Sequence, residues 1–457
     1  MKTKTNALLI VICIVTPGFL IITPPTQSTP SFLRANQMLS QPEEEYMLAD
    51  LDGFDTTDFD QEELLPIIPY WHDLVNKENV ANDGEGVYIA VLDTGLLPNW
   101  DDFFPEERIA TELGKGFSYD AWWDDDLQDI VFSELKDDRG FITEWASGHG
   151  THVTSTILGY NFYDTYWIDG IAPKATIIPV LCLDAWVVPT PYGDYMDSGG
   201  SSEMIAAAIM YIADLSDSLD GPVIINMSLG GPAEFPLVEE AIDYAISKGV
   251  IVVAAAGNRG ETQMDWPGAY DQVISCAAGG WTEMVYNGWT ADVPEDLAVP
   301  DVLGNEYQLY LESFSGRPNC TLGQKFWQLD VTCVGAWVVG PYKGKFWPNE
   351  AWGYYYVRGT SMATPHVSAI AALILELYPY FEQKQIQHIL KIAASGVGKN
   401  LKRGFPPIGI DVLVFDLGGL VSHSWGFFDY GRGFLLADEA MFYAAHYKHG
   451  HGHCHCH

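Results

Sequence analysis

Residues 357–369 read VRGTSMATPHVSA and place one serine, Ser361, between a Gly-Thr pair and a run that is typical of a helix start. The following run, HVSAIAALILELYPYF, is apolar nearly all round, which predicts a buried helix. We expect Pro365 to lie in its first turn, where a proline is tolerated because the N–H groups have no helical partners. Ser361 is then either a nucleophile beside free N–H groups and the positive end of the helix dipole, or an ordinary N-cap serine.

The composition is that of a folded globular protein with a strongly acidic surface. Hydrophobic residues make up 48% of the 457 residues, and 61 acidic side chains against 23 basic ones give a formal net charge of -38. This charge argues against nucleic acid as a partner. It is compatible with a solvated acidic surface, with cation binding or with a high-salt habitat.

The N-terminal region predicts export followed by a connecting segment. Residues 1–23 carry two lysines and then an apolar run, which favours a secretory signal and a secreted or cell-surface location. No clear cleavage site follows, so an uncleaved N-terminal anchor is the alternative. Residues 24–66 begin rich in Thr and Pro and become densely acidic, which favours a linker or a short pro-segment.

Beyond this segment, strand-like and helix-like runs alternate along the chain. GVYIAVLDTG, ATIIPVLCL, PVIINMSLGG and VIVVAAAGN read as strands, with helical runs between them. Such alternation predicts an α/β fold with three α/β/α layers, in which helices cover both faces of a mostly parallel central sheet. Polar groups follow three of these strands, at Asp93, Ser228 and Asn258. Because ligands bind beyond the carboxyl ends of such strands, we expect these groups to meet at one edge.

A serine nucleophile needs a neighbouring base, and histidine suits that role because its pKa lies near neutrality. The segment SGHGTHVTS supplies two histidines. His149 lies between glycines at a helix entrance and is the candidate base. His152 lies one turn further on and is expected to be a packed core residue.

The strings AVLDTG, GHGTHV, INMSLGGP, VVAAAGN and GTSMATPHVSA occur in this order along the chain. Together they resemble the signature motifs of the subtilisin-like serine peptidases, or subtilases. The resemblance extends over about residues 67–445, which we take as the catalytic domain. It implies a serine endopeptidase that hydrolyses protein or peptide substrates through an acyl-enzyme and needs no cofactor for its chemistry.

The resemblance also assigns the catalytic roles by motif. It implies that Asp93 orients His149, that His149 is the general base, and that Ser361 is the nucleophile. The side-chain amide of Asn258 and the backbone N–H of Ser361 are expected to bind the oxyanion.

Two further segments correspond to substrate-binding strands of the family. One is expected to pair with the substrate backbone as an added strand, and it comprises Ser228, Leu229 and Gly230. The other is expected to form one wall of the pocket for the side chain before the scissile bond, and it comprises Ala254, Ala255, Ala256 and Gly257.

The segment around WPG resembles the stretch that closes this specificity pocket, which places Asp265 at the floor and Arg259 at the rim. A carboxylate at the floor favours a substrate Lys or Arg. Arg259 opposes this by favouring acidic side chains or by pairing with Asp265, and the alanine-lined wall favours large apolar residues. The preference for basic residues and the preference for large apolar residues both stay open.

The chain also departs from the family. About forty residues between the signal and the catalytic domain are too few for a folded pro-domain, which puts zymogen control by that route in doubt. Residues 282–312 form an insertion rich in Trp, Tyr and acids, and we expect a surface excursion that shapes specificity or is neutral. We expect a monomer.

A few separate positions in the sequence are candidates for metal binding or for a disulfide. Asp102 stands where one carboxylate ligand of a structural calcium commonly falls in the family. The tail, residues 446–457, alternates His and Cys and is either a transition-metal chelator or a solvated disordered segment. Cys320 and Cys333 flank a turn-rich stretch and are candidates for a disulfide. Cys182 and Cys276 lie in apolar strand-like runs and are expected to be buried core thiols.

Two rival functions deserve a test against the peptidase. One is a pseudo-enzyme that uses the scaffold for binding, although intact Asp93, His149, Ser361 and Asn258 argue against it. The other is a metal-sequestering protein, which explains the tail and the acidic surface but leaves the other motifs unexplained. Labelling of Ser361 by a fluorophosphonate discriminates among the three functions.

Overall fold

The computed structural model of the chain describes residues 64–282, 284, 288–293, 309–345, 352–395, 425–426 and 429–447, together with the backbone of four short strands at 37–38, 44–47, 412–416 and 419–423. The predicted signal over residues 1–23 and all but the first two residues of the predicted tail lie outside the described residues.

A nine-stranded sheet forms the centre of the molecule. Its strands follow the order β17-β16-β15-β14-β4-β11-β5-β8, and β18 pairs with β16 off this path. The two edge pairings, β5 with β8 and β16 with β17, are antiparallel, and the other six are parallel. The strands are β4 (Tyr88–Asp93), β5 (Lys115–Ser118), β8 (Lys136–Arg139), β11 (Thr176–Leu181), β14 (Val223–Met227), β15 (Ile251–Ala255), β16 (Ile274–Trp281), β17 (Leu309–Leu311) and β18 (Val331–Val334).

The central strands form because their apolar, β-branched runs are buried on both faces. Every residue of β14, β15 and β16 is buried, as expected of parallel strands covered on both sides. Seven α-helices are described: α1 (Tyr70–Leu74), α2 (His149–Leu158), α3 (Ser202–Ser216), α4 (Pro236–Ser247), α5 (Thr360–Leu377), α6 (Gln383–Ala394) and α7 (Ala437–Tyr447).

The helices pack in two groups against the sheet. Helix α3 packs against α4, whereas α5 crosses β14, β15, β16 and β18 and contacts α2 and α7. This arrangement confirms the predicted α/β/α fold. Helix α5 is long and apolar enough to cross a membrane, but 89% of that window is buried inside the protein, which identifies it as a core helix.

Smaller sheets and hairpins surround this core. Three of them have three strands: β1 (Gln37–Met38) with β13 (Tyr195–Ser201) and β12 (Asp184–Val188); β3 (Leu65–Ile67) with β10 (Tyr166–Asp169) and β9 (Gly159–Phe162); β2 (Glu44–Met47) with β20 (Gly353–Arg358) and β19 (Val338–Tyr342). Two are hairpins: β6 (Ala121–Asp124) with β7 (Asp129–Phe132), and β21 (Val412–Asp416) with β22 (Gly419–His423).

The expectation of a surface excursion over residues 282–312 is wrong at the end of the segment, whereas Thr290 and Asp292 are exposed. Its last residues form β17, which pairs antiparallel with β16 in the central sheet and is fully buried. Trp289 packs its ring against Trp71, with centroids 5.9 Å apart, and its carbonyl accepts the N–H of Tyr70 at 2.9 Å. Burial of these apolar side chains draws the segment into the core.

The suggested disulfide between Cys320 and Cys333 is not formed. Cys333 lies in β18 with its side chain buried in the core, whereas Cys320 is exposed in a 3-10 turn. Pairing of β18 with β16 fixes Cys333 inside the sheet, out of reach of the surface turn. Cys182 and Cys276 are buried thiols, as expected.

Candidate active site

The carboxyl end of β4 brings Asp93 against the first residue of α2. The Oδ1 atom of Asp93 lies 2.7 Å from Nδ1 of His149 and also accepts the N–H of Thr94 at 2.7 Å. Asp93 is completely buried and His149 is 7% exposed. A buried carboxylate at Nδ1 holds the proton on that nitrogen, which leaves Nε2 as the acceptor on the other side of the ring.

Ser361 is the second residue of α5, which begins at Thr360 after an extended N-cap glycine, Gly359. The side chain is 5% exposed, and its hydroxyl donates to the main-chain carbonyl of Ser228 at 3.2 Å. Helices α2 and α5 pack against each other, so both residues stand at the starts of contacting helices. The unpaired N–H groups of the first turn of α5 favour negative charge beside Ser361.

Pro365 lies inside α5 rather than in its first turn, which corrects the expected position. In a regular helix the N–H of residue 365 would donate to the carbonyl of Ser361. Because proline has no N–H, that hydrogen bond is missing. The hydroxyl of Ser228 takes this place and donates to the Ser361 carbonyl at 2.7 Å. Ser228 and Ser361 are therefore joined by two reciprocal hydrogen bonds, each from a hydroxyl to the other residue's carbonyl.

A buried polar chain continues behind this pair. Asn226 donates from Nδ2 to the hydroxyl of Ser228 at 3.1 Å, and Ser368 donates to Oδ1 of Asn226 at 2.8 Å. Asn226 and Ser368 are both 0% exposed, so the chain runs through the core between β14 and α5. Neither Asn226 nor Ser368 was predicted from the sequence. The signal was present, because each is a lone polar residue in an apolar run whose side chain needs a partner when buried.

Asn258 lies after β15, where the sequence placed the oxyanion amide. Its Oδ1 atom accepts from both the N–H and the hydroxyl of Thr360, each at 2.9 Å. These bonds fix the orientation of the amide and leave its NH₂ group as the donor. Such a donor, next to the start of α5, suits a negatively charged oxygen.

The two segments expected to bind substrate lie at neighbouring strand ends. Ala254 and Ala255 end β15, and Ala256 and Gly257 continue it. Ser228, Leu229 and Gly230 follow β14, and β14 pairs in parallel with β15. Ser228 and Leu229 are buried and Gly230 is partly exposed.

Asp265 packs against both segments that are expected to bind substrate, and its carboxylate pairs with Arg259, which is one of the alternatives that the sequence left open. The residue is 0% exposed, and its Oδ1 accepts from Nε of Arg259 at 2.7 Å. It packs so closely on two glycines that a Cβ atom at Gly257 would lie 2.7 Å from its Cγ, and one at Gly230 would lie 2.9 Å from its Cβ. Burial raises the pKa of Asp265, and Arg259 opposes that rise.

His152 is a core residue, as expected. It is 0% exposed, and its Nε2 lies 3.1 Å from the carbonyl of Val338 on β19. It is therefore directed away from the polar groups at the ends of β14 and β15.

Asp102 is held by hydrogen bonds from two asparagine side chains. Its carboxylate accepts from Nδ2 of Asn99 at 2.8 Å, and its carbonyl accepts from Nδ2 of Asn161 at 3.0 Å. Calcium needs six to eight oxygen ligands, but amide nitrogens take these two oxygens. Within the described part of the chain, no group of three His, Cys, Asp or Glu side chains converges as a metal site. A structural calcium at Asp102 stays a prediction.

Comparison with known proteins identifies the family. The model of the subtilase family, Peptidase S8, matches residues 84–406. The chain belongs to the subtilase family. It is 29% identical over 339 residues to a subtilisin of Bacillus sp. (strain TA39), covering 71% of this chain and 67% of that protein. It is 24% identical over 351 residues to subtilisin DY of Bacillus licheniformis, covering 75% of this chain and 97% of that protein.

A solved structure supports the same assignment. The structure titled S41 psychrophilic protease superimposes with a TM-score of 0.51 at 25% sequence identity, covering 80% of this chain and 97% of that one. The protein is thus a subtilisin-like serine protease with the α/β fold of that family.

The close packing of Gly257 on Asp265 predicts the effect of adding one methyl group there. Gly257 has φ +90°, and Gly249 has φ +86° but no atom within 4 Å of an added Cβ. We expect Gly249→Ala to cost about 1–2 kcal/mol of the free energy of unfolding through backbone strain alone. Gly257→Ala is expected to cost about 1–3 kcal/mol more, because it also overpacks Asp265.

Denaturant unfolding of both variants in an inactive Ser361→Ala background measures these losses without self-digestion. Equal losses for the two variants would show that Asp265 moves aside without cost, contrary to the rigid packing inferred here.

Proposed function

We propose that the protein is a secreted serine endopeptidase that cleaves protein or peptide substrates with Asp93, His149 and Ser361. The observation that carries this proposal is the 2.7 Å contact of Asp93 with His149 at the carboxyl edge of the sheet, where Ser361 also opens α5. A buried carboxylate, an imidazole that this carboxylate contacts through Nδ1 and a hydroxyl at a helix N-terminus are the parts that acyl transfer requires.

The proposed reaction follows from these positions. Nε2 of His149 removes the proton from Ser361 while Oγ attacks the substrate carbonyl carbon. The NH₂ group of Asn258 and the N–H of Ser361 donate to the oxygen that becomes negative. His149 then passes its proton to the leaving amine, and the acyl-enzyme remains on Ser361. In the second half of the reaction, His149 removes a proton from water, the water oxygen attacks the acyl carbon, and the proton returns to Oγ of Ser361 as the acid product leaves. Asp93 holds the ring in place through Nδ1 and stabilises the imidazolium.

The substrate binds in this proposal as an extended strand along Ser228, Leu229 and Gly230, with Ala254 to Gly257 as the pocket wall. No cofactor takes part in the chemistry. Secretion rests on the signal-like residues 1–23, and a monomeric state and metal binding by the tail are further parts of the proposal.

Substitution of the catalytic residues tests the core of the proposal. Ser361→Ala, His149→Ala and Asp93→Asn are each expected to lower kcat by several orders of magnitude, with non-additive double variants, as in subtilisin itself. A fluorophosphonate is expected to label the native protein and not Ser361→Ala, as read by intact mass. Thermal unfolding of each variant shows whether the fold is kept. Labelling that persists in Ser361→Ala would identify a different nucleophile.

We further propose that residues 24–66 contain a short pro-segment that lies along the cleft. Two strands support this proposal. Strand β1 pairs antiparallel with Gly200 and Ser201 of β13. Gly200 packs on the carbonyl of Cys182. The N–H of Cys182 in turn donates to the carbonyl of Asp93 at 2.8 Å. Strand β2 pairs antiparallel with β20, which ends three residues before Ser361. The backbone of residues 37–38 and 44–47 thus pairs with one strand that packs near Asp93 and with another that ends three residues before Ser361.

A synthetic peptide of residues 35–48 tests the pro-segment. We expect it to inhibit cleavage of a short chromogenic peptide competitively, because it would lie beside the catalytic residues and obstruct a substrate there. A scrambled peptide of the same composition and charge is the control. Equal inhibition by both peptides, or none by either, would contradict the proposal.

For the residue before the scissile bond, we propose a preference for large apolar side chains. Asp265 is buried against Arg259, so its charge is neutralised inside the protein rather than offered to a substrate Lys or Arg. The side chain of Arg259 is 24% exposed. The alanine-lined wall then dominates the pocket.

Two opposite substitutions test this ion pair. Asp265→Ser is expected to release Arg259 and raise kcat/KM for a Glu substrate about tenfold relative to a Phe substrate, since one close charge pair contributes roughly 1–2 kcal/mol. Arg259→Gln leaves Asp265 without its cation and is expected to favour Lys and Arg instead. Matched peptides with Phe, Leu, Lys, Arg or Glu give the ratios. Unchanged ratios in both variants would place the pair outside the pocket.

A further inference from the structure

Two different donors are directed to the carbonyl of Ser228, one from the protein and one from the proposed substrate. In the structure it accepts the hydroxyl of Ser361 at 3.2 Å. It also belongs to the edge on which a substrate is proposed to pair as an added strand, and an added strand donates its backbone N–H groups to the carbonyls of the edge. The first residue of that edge is thus already occupied by the nucleophile itself.

The hydroxyl of Ser361 has only one proton to donate. It cannot donate to the Ser228 carbonyl and to Nε2 of His149 at the same time. General-base catalysis requires the second of these bonds, because His149 must receive that proton. The hydroxyl must therefore turn away from Ser228 before it can react.

The surroundings hold the carbonyl of Ser228 still while the hydroxyl turns. The hydroxyl of Ser228 donates to the Ser361 carbonyl at 2.7 Å, and Asn226 donates to the same hydroxyl at 3.1 Å. Ser368 in turn orients Asn226 at 2.8 Å. All four residues are at most 5% exposed, so water does not compete for these bonds. Rotation about the Cα–Cβ bond of Ser361 is the movement that this packing leaves free.

We propose that substrate pairing switches the nucleophile on. The backbone N–H of the residue before the scissile bond takes the Ser228 carbonyl, displaces the Ser361 hydroxyl and turns it toward His149. Ser228 thus acts through its carbonyl as a positioning residue, and Asn226 and Ser368 hold it in place. This inference rests on the proposed function, which supplies the roles of Ser361 and His149.

The switch makes a distinctive kinetic prediction. A strand hydrogen bond that only binds the substrate affects KM, because it is equally strong in the ground state and in the transition state. The bond to Ser228 also sets the orientation of the nucleophile, so its loss lowers kcat. The two kinds of bond can be separated by removing one N–H at a time.

The test uses three peptides of one sequence and the full-length protein. The parent peptide has all its N–H groups. In the second, an ester oxygen replaces the N–H of the residue before the scissile bond. In the third, the control, the same replacement lies two residues upstream, at the next N–H that faces the same edge. Mass spectrometry of the products restricts the rates to cleavage at the intended bond.

We expect the control peptide to raise KM about fivefold to tenfold with kcat unchanged within about twofold, as for one lost hydrogen bond. The second peptide is expected to lower kcat about tenfold as well. A change confined to KM in both peptides would overturn the switch and would show that the Ser228 carbonyl accepts both donors together. Fluorophosphonate labelling of Ser361 separates this outcome from failure of the proposed function, since absent labelling overturns both.

Discussion

The missing N–H of Pro365 is the constraint on which the arrangement around Ser361 depends. A regular helix would satisfy the Ser361 carbonyl internally, without a hydroxyl from the end of β14. With proline in that position, the carbonyl is free to accept the hydroxyl of Ser228 at 2.7 Å. The helix that carries the proposed nucleophile is thereby tied to the strand that carries the proposed substrate edge.

The parallel sheet supplies the second half of the arrangement. Because β4, β14 and β15 run in the same direction, Asp93, Ser228 and Asn258 all leave the sheet at its carboxyl edge. This much was predictable from the sequence, since buried β-branched runs that alternate with helical runs leave few other topologies. The burial of His152 was predictable as well, because it falls one turn inside an apolar helix.

Other features depend on contacts that local patterns do not encode. The ion pair of Arg259 with Asp265 arises because two glycines let the chain close tightly over the carboxylate. Strand β17 looked like part of a surface insertion because its apolar residues follow an acidic, aromatic stretch, yet pairing with β16 buries it. The separation of Cys320 from Cys333 likewise follows from which strand β18 joins. For β17 and β18 the deciding partner, β16, is distant in sequence, whereas the pairing of Arg259 with Asp265 was among the alternatives that the sequence left open.

The buried polar chain from Ser368 to Ser361 shows how stability and activity compete in this site. In the free protein each hydroxyl in the chain donates to a partner, which is the favourable arrangement for buried polar groups. A nucleophile held in this way is stable but is not aimed at its base. Reaction requires breaking one bond of a satisfied network, and a substrate that brings its own donor replaces that bond as it binds. In the proposed switch, the cost of activating Ser361 falls within the binding step, and the hydroxyl turns toward His149 only when a peptide backbone is in place.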